Sequence, residues 1–368
     1  MKNKKIRVLT IGGGSGQFAL LSALRDINDI EITSVVSMSD NGGSTGRLRD
    51  ELGILPPGDA LKCIVALSPL RDAAQSILLK RLNGFGKLQG HNAGNMLLTM
   101  LSNYTGSFPS AIKTLSEILE INGTVLPATT DKATLVAELS DGNRIYGESA
   151  IDIPKGEQRE KIKEIFLVPH SNNTISVYPP VVEAIKNSDY ILIGPGDLFT
   201  SIIASLIVPG VKEEIQKTSA KVIFILNIMT KYGETHDFRG HDFVRKLEDT
   251  INRQVHGVIY NSRRPVKHLL EKYFSEKADF VELEKTEKWI GDRAVYDGDL
   301  LNTSPGIARH DPQKLSSLIK GIIFKQDSGR NKDTDHHIDF PFANTDMSSP
   351  GSISVQSPKT AHIKPYPG

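Results

Sequence analysis

The chain has 368 residues, enough for one large α/β domain or two smaller ones, and with 39% hydrophobic and 24% charged residues it has the mix of an ordinary globular protein. A formal net charge of +1 gives no global field to draw nucleic acid or an acidic membrane surface, and the single cysteine, Cys63, excludes an internal disulfide framework and any multi-cysteine zinc site. The apolar run behind the basic start MKNKK is too short for a signal peptide, no run approaches the roughly 18–20 apolar residues of a membrane span, and a cytoplasmic protein is expected.

The first element is an apolar run, Ile6–Ile11, expected as a buried strand. It runs into IGGGSGQ, where Gly12, Gly13, Gly14 and Gly16 surround Ser15 ahead of a helical pattern, Phe18–Leu24. A glycine turn between strand and helix presents backbone N–H groups and a helix N-terminus to phosphate. The bland alternative is a tight turn that holds nothing. A P-loop needs Gly-Lys-Ser/Thr, and Gln17 stands after Gly16. A dinucleotide fingerprint needs a third glycine, which Gln17 replaces, and an acidic residue after the second strand, where Val35, Val36 and Ser37 stand. NAD is therefore not expected, nor are haem or zinc.

The second expected strand, Ile30–Ser37, ends in MSDNGGSTGR, residues 38–47. This loop offers Asp40 as a metal ligand or an Asx-turn residue, Asn41, Gly42, Gly43 and Ser44 as polar backbone and hydroxyl groups, and Arg47 as a phosphate clamp. Residues 42–46 also match G-x-S-x-G, but polar Ser37–Asn41 precede them and no Asp-then-His order follows, so a hydrolase elbow is set aside. In LPPGDALKC, Asp59 is either a helix N-cap or a second carboxylate for a divalent cation. In GHNAGN, His91, Asn92 and Asn95 open another helix. A β-hairpin insertion is expected at about 124–153, turning at Asp141-Gly142.

Further strands are expected at Ile165–Val168, Tyr190–Gly194, Val222–Leu226 and Val258–Tyr260. A third glycine turn, IGPGDLFTSI, puts Gly194 and Gly196 at a strand end and Thr200 and Ser201 near a helix start. Strand–helix alternation implies a mostly parallel sheet with helices on both faces, in a single α/β domain over 1–325. The last helix is expected at Pro312–Phe324; 326–368 is polar and proline-rich and reads as a disordered tail.

IGGGSGQFALLSAL, SDNGGSTGRLR, GILPPGDALKCIVAL, GHNAGNMLL, VLPATT, GPGDLFTSIIASLIVPGV and ILNIMTKYGETHDF resemble, in order, the blocks of the gluconeogenesis-factor (YvcK-like) family. That family lies in a superfamily with 2-phospho-L-lactate transferase (CofD-like). The resemblance covers about residues 6–324 and implies a modified Rossmann-like fold. It implies a UDP-sugar ligand, notably UDP-N-acetylglucosamine, and a regulatory role linking carbon use to cell-envelope synthesis and cell shape. The alternative it implies is a Mg²⁺-dependent transferase acting on a nucleotide diphosphate donor. Asp40 and Asp59 match the transferase's metal positions, while LLEKYF and ARHDPQKL match segments that give a tyrosine and an arginine to the UDP-sugar site, here Tyr273 and Arg309. The family's Gly-Thr-Gly is Gly14-Ser15-Gly16, and its Asp-Asp is Asp40-Asn41. A protein partner of unknown identity and a homo-oligomer are compatible with a regulator; no nucleic acid or membrane span is expected.

Overall fold

The computed structural model describes residues 5–84, 86–154, 159–170, 174–284, 291, 293–302, 304 and 306–325; the expected tail, 326–368, lies outside them. In chain order the strands are β1 (Ile6–Gly12), β2 (Ile30–Val36), β3 (Thr124–Pro127), β4 (Ala133–Leu139), β5 (Arg144–Tyr146), β6 (Ile162–Pro169), β7 (Tyr190–Ile193), β8 (Lys221–Ile225), β9 (Gly257–Asn261), β10 (Ala294–Gly298), β11 (Leu301–Asn302) and β12 (Arg309–His310). Seven of them form one sheet in the order β10-β9-β8-β7-β1-β2-β3. Every pairing in it is parallel.

Side chains alternate between two cores, as period-two geometry requires. Val8, Ile32, Leu192 and Ile223 face one core, with helices Gly14–Leu24, Pro57–Leu67, Phe108–Ile118 and Pro312–Lys325. Leu9, Val35, Ile191 and Val222 face the other, with helices Pro179–Asn187, Val211–Lys217 and Gly240–Ile251. The near-continuous apolar runs in these strands are what burial on both faces demands.

Two expectations change. Thr124–Pro127 does not belong to the insertion: it is the sheet's edge strand, with Val125 in one core and Leu126 against the other. Ile165–Val168 does not belong to the main sheet: it lies in β6, which pairs antiparallel with β4, while β4 pairs antiparallel with β5 across the Asp141-Gly142 turn. Half-exposed β6 suits a small sheet covered on one side, not a central parallel strand. The inserted three-stranded sheet therefore runs from Ala133 to Pro169.

The chain leaves β1 for β2 on one side and returns as β7 on the other. That reversal opens a crevice at the carboxyl ends of β1 and β7, the place where open α/β sheets take ligands.

Candidate functional site

Two glycine turns meet at this crevice. A Cβ on Gly16 would lie 2.3 Å from the Pro195 carbonyl oxygen, so the turns after β1 and β7 touch backbone to backbone. Gly14 has φ +65 and nothing within 4 Å of where its Cβ would be; its left-handed backbone faces open space. Gly13 is the N-cap of helix Gly14–Leu24 and supplies no side-chain cap, which leaves the first N–H groups open to an anion. Gln17, where a third fingerprint glycine would stand, is fully buried and donates to Thr10 Oγ1 (2.6 Å) and Ser34 Oγ (3.0 Å).

A cavity of about 600 Å³ opens over these turns. Gly13, Gly14, Ser15 and Gly16 form one wall, and Gly196, Asp197 and Ser201 the next. The segment after β8, Asn227–Tyr232, lines a third, and Tyr273, Ala308, Arg309 and His310 close the fourth. Tyr273 and Arg309, 36 positions apart, thus share one cavity with the first and third glycine turns. Tyr273 Oη accepts the Ala308 N–H at 3.1 Å, which holds its ring beside β12. Gly12 and Gly194 sit behind this surface at the strand ends. Thr200 is turned away: its hydroxyl donates to Glu234 Oε1 at 2.9 Å, and Glu234 also accepts the Phe199 and Thr200 N–H groups.

The second loop forms a neighbouring cluster. Asp40 makes the Asx turn, accepting the Gly42 N–H at 2.8 Å. Asp59 is not an N-cap; Pro56 holds that position, and Asp59 sits in the first turn of Pro57–Leu67, paired with Lys62 at 2.9 Å. A Cβ on Gly13 would lie 2.6 Å from Asp59 Oδ2, so this carboxylate abuts the first glycine turn. Asn41 accepts from both the N–H and the hydroxyl of Ser149, tying the loop to helix Glu148–Asp152 of the insertion, while a Cβ on Gly43 would come within 4 Å of Arg81. Asn92 caps helix Ala93–Thr105, and Arg47 donates to the Gln89 carbonyl. Asn95 donates to Ser44 Oγ, whose hydroxyl lies 2.9 Å from His91 Nδ1; burial, then the charge of Arg47, keeps His91 neutral and able to accept. These contacts brace the loop, and His91, Asn92, Asn95 and Arg47 make them without lining the cavity.

Charge is concentrated where the two clusters meet. Burial, then repulsion from Asp59, raises the Asp40 carboxyl above its usual range. Burial, then Asp40, Asp152 and Asp59, pushes Glu148 up to about 8. Asp152, Asp197 and Glu234 bring carboxylate oxygens within 4.8 Å of one another, but the place a cation would take is filled by Lys231. Its ammonium pairs with Asp152, with Asp197 at 2.9 Å and with Glu234 at 3.7 Å. Burial disfavours that charge, yet Asp197, Glu234 and Asp152 outweigh it and hold Lys231 protonated. Burial, then Asp197, raises Glu234 to about 7 against the pull of Lys231. Lys62 pairs directly with Asp59 and its charge also acts on Asp40, yet burial and Asp59 keep Asp40 raised, a repulsion that a divalent cation would relieve. Sequence reading missed Lys231, Asp197, Glu234, Glu148, Asn227 and His310. A lysine and a glutamate three apart in the loop that follows the buried strand β8 were the available signal.

The chain matches the family model of 2-phospho-L-lactate transferase CofD over residues 8–301. It is 35% identical to a gluconeogenesis factor from Bacillus subtilis over 322 residues, covering 87% of this chain and 99% of that protein. A Thermotoga maritima relative, named in a qualified form of the same term, is 39% identical over 322 residues, covering 86% and 99%. A solved structure of a UPF0052-family member from Bacillus halodurans superposes with a TM-score of 0.79 at 34% identity, covering 86% of this chain and 99% of that one. The stretch matched by the family model holds the glycine turns and most of the sheet, and the chain belongs to the gluconeogenesis-factor family within the 2-phospho-L-lactate transferase superfamily.

Proposed function

We propose that this protein binds a UDP-sugar, with UDP-N-acetylglucosamine as its reference ligand, and acts as a regulator rather than a catalyst. The observation that carries the reading is the single cavity uniting the uncapped glycine turn with Tyr273 and Arg309. The turn supplies N–H groups to a diphosphate. The tyrosine supplies a face for the base, worth about 1–3 kcal/mol by analogy with single-strand binders. The arginine supplies a charge-assisted contact to phosphate or a uracil oxygen. Asp40 and Asp59 would hold a Mg²⁺ ion, which supplies positive charge to a diphosphate that these carboxylates otherwise repel. A cellular role in carbon use, envelope synthesis and cell shape, exerted through a protein partner in the cytoplasm, is part of the same proposal.

The transferase reading keeps one specific support, the match to the transferase family model together with the acidic cluster beside the cradle. A nucleotide panel in a thermal-shift assay separates the two. Saturation at about 100 times the dissociation constant should stabilise the fold by roughly 2.7 kcal/mol. Stabilisation by UDP-N-acetylglucosamine without turnover supports the regulator. Transfer of phospholactate from a guanylyl-linked donor to a deazaflavin would replace it with the enzyme.

A further inference from the structure

The segment after β8 changes character as it runs along the cavity. It begins in a small apolar cluster, where Ile228 and Met229 join Tyr273 and Ala308. Two residues on, Lys231 pairs with Asp152 of helix Glu148–Asp152 and with Asp197, the residue after Gly196. Lys231, Asp152 and Asp197 all line the cavity. Solvent reaches each of them: their side chains are 31%, 24% and 38% exposed, against 1% for Glu234 behind them. The cavity thus joins an apolar wall, the glycine turns and a charged wall.

The pairing restricts what the charged wall accepts. A cation meets the Lys231 ammonium, which already stands among the carboxylates. A further phosphate meets two carboxylates, and an apolar group would strip three charged side chains of water. A neutral group rich in hydroxyls meets acceptors and a donor together. Asp152 holds the ammonium through Oδ1 and Asp197 through Oδ2, and a carboxylate has lone pairs for more than one donor. Lys231 fixes both carboxylates before anything binds, which lowers the ordering cost when a hydroxyl arrives. Asp197 follows Gly196 directly, so a group carried on a diphosphate at the glycine turns emerges beside it.

We propose that Asp152 and Asp197, positioned by Lys231, are specificity-determining residues that accept hydrogen bonds from the hydroxyls of the ligand's sugar. The inference rests on the UDP-sugar reading above and adds the part of the site that tells a sugar nucleotide from another diphosphate ester. It also gives the insertion a part in recognition, since Asp152 comes from it and the Asn41–Ser149 hydrogen bonds tie its helix to the crevice.

The test is calorimetric titration of the full chain with UDP-N-acetylglucosamine and with the cyclohexyl ester of UDP, which keeps the charge and a six-membered ring but has no hydroxyls on that ring. Wild type should bind the sugar nucleotide about tenfold or more tightly than the ester, because hydrogen bonds to charged groups are the stronger ones. Asp152→Ala and Asp197→Ala should each weaken the sugar nucleotide about tenfold and bind the ester no more weakly than wild type does. Asp152→Asn and Asp197→Asn keep the shape and one acceptor, so their loss should be smaller, about threefold, and they decide the matter where an alanine variant does not fold. Wild-type binding of the ester as tight as that of the sugar nucleotide overturns the assignment, as does an unchanged ratio between the two ligands in the variants. In those cases binding of a uridine diphosphate ester at the glycine turns survives. No binding of either ligand by the wild type overturns the UDP-sugar reading as well.

Discussion

Single residues at the glycine turns separate into those that hold the fold and those that face the cavity. A methyl group on Gly16 would strike the Pro195 carbonyl, a backbone atom that cannot swing aside. Gly16→Ala should therefore cost about 1–3 kcal/mol of stability, read as a lower denaturation midpoint. Gly14→Ala meets no atom and costs only the strain of its left-handed backbone, about 1–2 kcal/mol, while its methyl enters the open cradle. Nucleotide affinity measured at a temperature where the variant is fully folded should fall in Gly14→Ala, and unchanged affinity would remove Gly14 from the binding surface. Glu148 gives a pH signature. Burial, then repulsion from Asp40, Asp152 and Asp59, lifts its carboxyl from the ordinary 4.5 to about 8 on folding, so the folded state binds the proton more tightly than the unfolded chain. The stability this contributes is present below about 4.5 and is lost as pH rises through about 8. The melting temperature of Glu148→Gln, measured against wild type, should gain ground steadily between pH 5 and pH 9; a difference independent of pH would mean Glu148 ionises normally.

At the scale of elements, the inserted sheet is coupled to the cradle by polar ties and not by the main cores alone. Asn41–Ser149 and Lys231–Asp152 both join helix Glu148–Asp152 to the crevice. Lys231→Met would leave Asp152, Asp197 and Glu234 facing one another without the ammonium that pairs with all three. The expected cost is about 2 kcal/mol or more, below the usual figure for breaking a buried pair because the Lys231 side chain is 31% exposed. Added Mg²⁺ should recover part of that loss in the melting temperature; no recovery would show that this carboxylate group cannot take a cation. The strands that the sequence made legible were those with long apolar runs, such as Ile6–Gly12 and Lys221–Ile225, because burial on both faces leaves no other residue choice. β10, Ala294–Gly298, was not legible, since a five-residue AVYDG reads as a turn until β9 is known to lie beside it. Helices Gly14–Leu24 and Ala93–Thr105 were recognisable in their apolar spacing, but they extend further than that spacing marked, since their first turns are glycine and asparagine.

Across the whole molecule, the glycine turns were visible in the sequence because each stands next to its strand. Their convergence was not, since β1 and β7 pair across 182 positions, in the register Val8↔Tyr190 as in the Arg7–Asp189 hydrogen bond. The Lys231 network was equally hidden: it joins residues 79 and 34 positions away, and only the fold brings them together. Tyr273 and Arg309 came from family resemblance and not from any spacing, and the fold places both on the cavity wall. Among the described residues the two apolar cores reach Ile323, and the sequence beyond Lys325 is polar and proline-rich, so truncation after Lys325 should leave the melting temperature unchanged, and a clear drop would show that 326–368 packs on the core. The most direct measurement is calorimetric titration of UDP-N-acetylglucosamine into wild type, Tyr273→Phe, Tyr273→Ala and Arg309→Ala. Tyr273→Phe keeps the ring and loses only the Ala308 hydrogen bond. Saturable binding by the wild type, a small change in Tyr273→Phe, and a loss of about tenfold or more in Tyr273→Ala and in Arg309→Ala are expected. Wild-type affinity in both alanine variants, or no binding by the wild type, would contradict a UDP-sugar site in this cavity.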